Sequence, residues 1–157
     1  MKKLDNADEC WFPLPGAELQ DGGSFLVDLV NPACPQNAAG LEFGAAYEYE
    51  QEEWFSVCDT WREYSVWLEE LIDLVGFEEA PDEHAPGPFR ELILYVGLGE
   101  IIGPVASAKL VADFIEWDDR ARALGDEGFY GWYARMRKVF EYAGETGAVR
   151  FEGESYR

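Results

Sequence analysis

The strongest constraint on the fold lies between Gly103 and Gly144, where two amphipathic helical patterns meet at Gly125-Asp126. Pro104 stands where a first helical residue belongs, because its missing N–H is one of the donors that a helix start leaves unpaired. From there Ala106, Leu110, Phe114, Trp117, Ala121 and Leu124 recur at steps of three and four, which puts them on one face of a helix predicted over 104–124. Gly125 suits a left-handed cap. Asp126 then suits the N-cap of a second helix, 127–143, whose apolar set is Phe129, Trp132, Tyr133, Met136, Phe140 and Ala143. Arg135, Arg137 and Lys138 fall in its later half, where the helix dipole favours cations. Gly144 or Gly147 ends it, and residues 148–151 alternate as a short strand.

A third helix is predicted over 60–75. Asp59 or Thr60 caps it, Trp61, Tyr64, Leu68, Leu71, Ile72 and Val75 share one side, and Gly76 terminates it. Residues 24–30 form an apolar run closed by Asn31-Pro32. In 41–50, Leu41, Phe43, Ala45, Tyr47 and Tyr49 alternate with Glu42, Gly44, Ala46, Glu48 and Glu50, the best strand pattern in the chain. Residues 89–96 read as a helical turn running into a strand or loop, and Pro13 and Pro15 limit 5–15 to an edge strand or extended arm. The expected class is α+β, with about three main helices packed on a small, mostly antiparallel sheet. One domain spans 1–157, with an acidic, strand- and loop-rich part at 1–53 and a helix-rich part at 54–157. Apolar residues at 48% and aromatics at 15% supply enough material for its core.

Charge narrows the function. The net formal charge is −20, and its distribution is uneven: residues 1–100 carry 22 carboxylates and 4 basic side chains, residues 101–157 carry 10 and 8. Between Leu4 and Phe89 the one basic residue is Arg62, against 20 carboxylates. Such a field repels nucleic acid and anionic membranes and opposes compaction, so something other than stability maintains it. A solvated exterior, or adaptation to high salt, would load the last third as well. No apolar window reaches membrane-span length, and the charged Met1-Lys2-Lys3-Leu4-Asp5 leads into no signal-peptide core, so the expected location is cytoplasmic.

Catalytic and metal chemistry find little footing. Cys10, Cys34 and Cys58 are odd in number, with no Cys-x-x-Cys pair and a single histidine, which points to reduced thiols and no zinc site; no cofactor is expected. His84 sits in the acidic, proline-bounded loop 77–87 and reads as a solvated residue without a nucleophile to serve. Gly97-Leu98-Gly99 and Gly103 evoke a phosphate loop, but no Lys-Ser or Lys-Thr pair follows. Glu69 with Asp73, and Asp113 with Glu116, are carboxylate pairs of a kind that supports acid–base or cation chemistry, but a solvated helix flank is the better reading of them. Trp61, Trp117 and Trp132 lie on faces assigned to the core. Trp11, Trp54 and Trp67 are less readily placed, and one of them is available to anchor a partner.

The segments 64–75 and 88–94, with Ile102-Gly103-Pro104 and Lys109-Leu110-Val111-Ala112-Asp113-Phe114, resemble a family of small bacterial and phage proteins of unassigned activity. In that family a similar helix precedes a Pro-Phe-x-Glu-Leu-like segment, a polar Ser-Asp-Cys-Glu-Gly-like loop and an Ile-Gly-Pro, Lys-Leu-x-x-Asp-Phe helix. The polar loop departs here: Tyr95-Val96-Gly97-Leu98-Gly99-Glu100 keeps one acidic residue and glycines. The resemblance covers about residues 60–152 and implies a fold but no activity. By size and acidity the chain is also similar to bacterial immunity proteins and phage-encoded nucleic-acid mimics.

The expectation is a non-catalytic acidic protein that binds and inhibits a basic protein partner, such as a nuclease toxin or a host defence protein. It would contact neither nucleic acid nor membrane. Glu48, Glu50, Glu52 and Glu53 would extend from a strand edge and Glu78, Glu79, Asp82 and Glu83 from a loop, together offering a row of carboxylates that imitates a phosphate backbone. The alternatives are a small carboxylate-dependent enzyme or metal-dependent regulator, and a structural accessory protein of a phage or host.

Overall fold

The computed structural model describes residues 2–3, 23–27, 30–32, 34–50, 52, 55, 60–78, 86–94 and 100–151, and they form an α+β arrangement. Strands β1 (Lys2–Lys3), β2 (Gly23–Leu26) and β3 (Ala46–Tyr49) make one antiparallel sheet in the order β1-β3-β2. A 3-10 turn, Pro35–Ala38, lies between β2 and β3. Helices α1 (Trp61–Val75) and α2 (Arg90–Ile93) follow, then β4 (Ile101–Ile102), α3 (Pro104–Glu116), α4 (Asp118–Ala123), α5 (Glu127–Ala143) and β5 (Val149–Arg150). β4 and β5 pair antiparallel, Ile102 facing Val149 in register.

Local chemistry sets the ends of the long helices. Thr60 and Glu63 form a reciprocal box: the Thr60 hydroxyl accepts the Glu63 N–H at 3.2 Å and the Thr60 N–H donates to Glu63 Oε2 at 3.1 Å. Gly76 closes α1 at φ 62°, a left-handed conformation in which a Cβ would be strained. Asp126 caps α5 by accepting the Phe129 N–H at 2.9 Å.

The core is aromatic and centres on α3 and α5. The Phe114 ring meets Phe89 and Tyr133 edge-on, each at 4.8 Å between centroids, and stacks on Phe140 at 6.2 Å. Trp67 of α1 stacks on Phe129 near the start of α5. Tyr64 packs on Phe151, which meets Phe140 near the end of α5, so α1 and α5 run antiparallel.

Three expectations are corrected. The helix over 104–124 is two helices: the backbone leaves helical geometry at Trp117 (φ −95°, ψ 1°), so Ala121 stays buried while Leu124 is exposed. Tyr133 Oη donates to the Phe114 carbonyl at 2.9 Å in the last turn of α3, next to that break. The strand over 41–50 is confined to Ala46–Tyr49, because Gly44 turns the chain so that its N–H bonds the Val27 carbonyl at 2.8 Å; Phe43 is left exposed. Finally, Trp67 and not Trp61 is the buried tryptophan of α1, at 1% exposure against 49%.

Candidate functional site

Asp113, read from its spacing as one of a pair suited to an exposed flank, is buried. Lys109, one turn earlier on α3, places Nζ 2.7 Å from Asp113 Oδ2 and 2.7 Å from Glu91 Oε2 of α2, and donates to the Gly87 carbonyl at 2.6 Å. An ammonium has three N–H donors, and here three acceptors take them. Asp113 Oδ2 also accepts the Phe89 backbone N–H at 2.8 Å. Phe89 is the one non-glycine residue among those described with positive φ, 54°, and this geometry directs its ring onto Phe114. The network is a latch between α2 and α3. Lys109 Nζ, Asp113 Oδ2 and Glu91 Oε2 are engaged with one another and with the backbone.

The 3-10 turn docks on the same place. Asn37 Nδ2 donates to the Glu91 carbonyl at 3.1 Å, the Cys34 thiol donates to Asn37 Oδ1 at 3.1 Å, and the Asn37 carbonyl accepts the Gly103 N–H at 2.7 Å. Burial, with the nearby Glu91 charge, raises the Cys34 pKa, so the thiol stays protonated. Gly103 is required by contact: a Cβ there would lie 2.6 Å from the Ala39 carbonyl oxygen. That carbonyl also accepts the Val105 N–H at 3.4 Å. Because Pro104 has no donor, these backbone bonds use the N–H groups of Gly103 and Val105 that a phosphate would need. Gly97, Leu98 and Gly99 lie outside the described residues.

The carboxylate surface is only partly described. Glu48, Glu50, Glu52 and Glu78 are exposed, whereas Glu53, Glu79, Asp82, Glu83 and His84 lie outside the described residues. β3 is the middle strand of its sheet and not an edge, with Lys2 and Ser24 as the Cα neighbours of Glu48. Tyr49 Oη donates to Glu52 Oε2 at 3.4 Å. Three residues on, Phe55 packs against Tyr142, at the end of α5, while Glu78 follows the opposite end of α1. Glu52 and Glu78 therefore belong to opposite ends of the α1–α5 pair, about 20 Å apart by helix length. These two carboxylates are not neighbours on the surface. Glu69 and Asp73 add exposed carboxylates on the outer side of α1 between them.

Several cations of the last third are tied locally. Arg122 pairs with Asp118 at 2.8 Å and lies over the Tyr130 ring, and Arg137 pairs with Glu141 at 2.6 Å. The hydrogen bond from Arg122 holds the Asp118 carboxyl below its ordinary range. The sequence reading missed the exposed aromatics Phe55, Trp61 and Tyr142; the sign available was that Trp61 is the first residue of its helix, at the end of any buried stripe. Trp117 and Trp132 are half-buried, and Trp11 and Trp54 lie outside the described residues. Among the described residues no three His, Cys, Asp or Glu side chains come together to hold a metal ion, and no helix is long and apolar enough to cross a membrane. No protein-family model matches the chain, and neither a curated protein nor a solved structure matches it.

Proposed function

We propose that the chain is a non-catalytic acidic protein that binds a basic protein and inhibits it, in the manner of an immunity protein or a phage-type mimic of nucleic acid. One observation carries this reading: 20 carboxylates against a single basic residue between Leu4 and Phe89, in a chain whose last third is close to neutral. A field of that size and asymmetry speeds encounter with a positive surface and repels nucleic acid and anionic lipid. The exposure of Glu48, Glu50, Glu52 and Glu78 supports it, as does the engagement of Lys109, Arg122 and Arg137 in ion pairs. The latch residues Glu91, Lys109 and Asp113 serve the fold that carries this surface.

The test is capture from a native lysate at low and high salt, followed by assay of the captured protein. A basic protein retained at low salt, released at high salt and inhibited by stoichiometric addition of the chain is the expected result. Capture of acidic proteins, or retention indifferent to salt, would overturn the reading.

A further inference from the structure

The acidic run that leaves β3 ends on an aromatic patch. Glu52 is exposed, and three residues later Phe55, 37% exposed, meets the Tyr142 ring edge-on at 5.6 Å. Tyr142 is itself 49% exposed. Because α1 and α5 run antiparallel, the start of α1 lies at the same end, and Trp61 stands there, also 49% exposed. Its ring packs on Tyr64 at 5.1 Å, Tyr64 on Phe151 at 6.1 Å, and Phe151 on Phe140 at 6.5 Å, two residues before Tyr142. Trp61 and the Phe55–Tyr142 pair therefore stand at the same end of the α1–α5 pair, with the buried Phe140 on the inward face of α5 and Tyr142 on its outer face. Exposed carboxylates lie close to the patch in the chain: Glu52, three residues before Phe55, and Glu145, three residues after Tyr142. α1 carries one cation, Arg62, against Glu63, Glu69, Glu70 and Asp73.

Exposed Trp and Tyr rings beside carboxylates form a receptor for arginine. The guanidinium is planar, stacks on aromatic faces and pairs with carboxylates in the same pose, and Trp, Tyr and Arg dominate binding hot spots. The molecule uses this device internally. Arg122 lies 4.5 Å from the Tyr130 ring centre while its Nε bonds Asp118 at 2.8 Å, and Arg120 lies 4.3 Å over Trp117. A second copy of the chain is a poor occupant, because two chains of net charge −20 repel.

We propose that Phe55, Trp61 and Tyr142 are the anchor of the partner-binding surface, and that the basic partner places arginine side chains on them. This rests on the acidic-inhibitor reading and adds the chemistry of the contact. Carboxylates attract the partner from a distance, and the aromatic end distinguishes arginine from lysine once it has arrived.

The experiment titrates the full chain, by calorimetry, with an oligo-arginine and an oligo-lysine peptide of equal length at low and physiological ionic strength. The wild-type chain is expected to bind the arginine peptide about 2- to 5-fold more tightly, because the guanidinium stacks its plane on a ring and pairs with a carboxylate at once, whereas the ammonium makes only a point-charge contact. Trp61→Leu and Tyr142→Leu keep apolar bulk and remove ring faces; each is expected to shrink that ratio toward one while salt dependence persists. Glu48→Lys with Glu50→Lys and Glu52→Lys should weaken both peptides and preserve the ratio. Equal affinities in the wild-type chain, or a ratio that survives both leucine variants, would overturn the anchor while leaving the acidic reading intact. Failure of both peptides to bind at low salt would overturn the acidic reading, and the anchor with it. A wild-type dimer that Trp61→Leu dissociates in sedimentation would assign the patch to a second copy and overturn the proposal.

Discussion

Asp113 Oδ2 accepts the backbone N–H of Phe89 at 2.8 Å, and this bond joins α3 to a residue held at positive φ whose ring lies against Phe114. The same oxygen faces Lys109 Nζ at 2.7 Å. Removing the carboxylate leaves an unpaired amide and leaves the ammonium with Glu91 and the Gly87 carbonyl only. Asp113→Ala is therefore expected to cost about 3 kcal/mol, the scale for breaking one side of a buried pair. Glu116→Ala, three residues away and exposed, should stay within about 0.5 kcal/mol. Urea denaturation of the two variants checks the contrast.

The two tryptophans of α1 divide the same way. Trp67→Ala removes a buried ring stacked on Phe129 and is expected to cost about 3–5 kcal/mol, as is Phe114→Ala at the centre of the core. Trp61→Ala, at the exposed end of the helix, should cost under about 1 kcal/mol. Equal losses at the two tryptophans would contradict the orientation of α1.

Burial raises the Cys34 thiol above its ordinary value of 9.0, so above that pH the unfolded chain loses the proton before the folded one does. Stability from this group is complete at neutral pH and declines as pH rises past 9.0, by at most about 1.4 kcal/mol per pH unit. Burial raises Tyr133 in the same direction, but from 10.0, so the interval between 9 and 10 reports chiefly on the thiol. Denaturation midpoints across that interval should fall in the wild-type chain and flatten in Cys34→Ala.

What the sequence declared was what local chemistry decides. Thr60 with Glu63, Gly76, Pro104 and Asp126 act within a few residues of themselves, and each bounds its helix as its type requires. Which face of α1 turns inward was not legible, because Trp61, Tyr64, Trp67, Leu68, Leu71 and Ile72 satisfy two overlapping stripes; Phe129, 62 positions beyond Trp67, selects one. The break at Trp117 was hidden for a similar reason, since helical periodicity continues through Ala121 while tertiary packing by Tyr133 and Tyr130 holds the two sides. Asp113 read as polar and was placed outside. Its partners Lys109, Glu91 and Phe89 come from two segments that only the folded chain brings together. For the acidic surface, sequence supplied the charges, and only the structure separated Glu52 from Glu78.

The acidic surface is tested most directly by the rate at which the chain associates with the basic protein it captures, measured for wild type and for Glu48→Lys/Glu50→Lys/Glu52→Lys at two ionic strengths. All three side chains are exposed, so the variant should remain folded. Exposed charges act chiefly on encounter, so its association rate should fall by about tenfold or more at low salt and its salt dependence should flatten. A folded variant that associates at the wild-type rate, with the wild-type salt dependence, would show that these carboxylates are a solvated exterior and contradict the account.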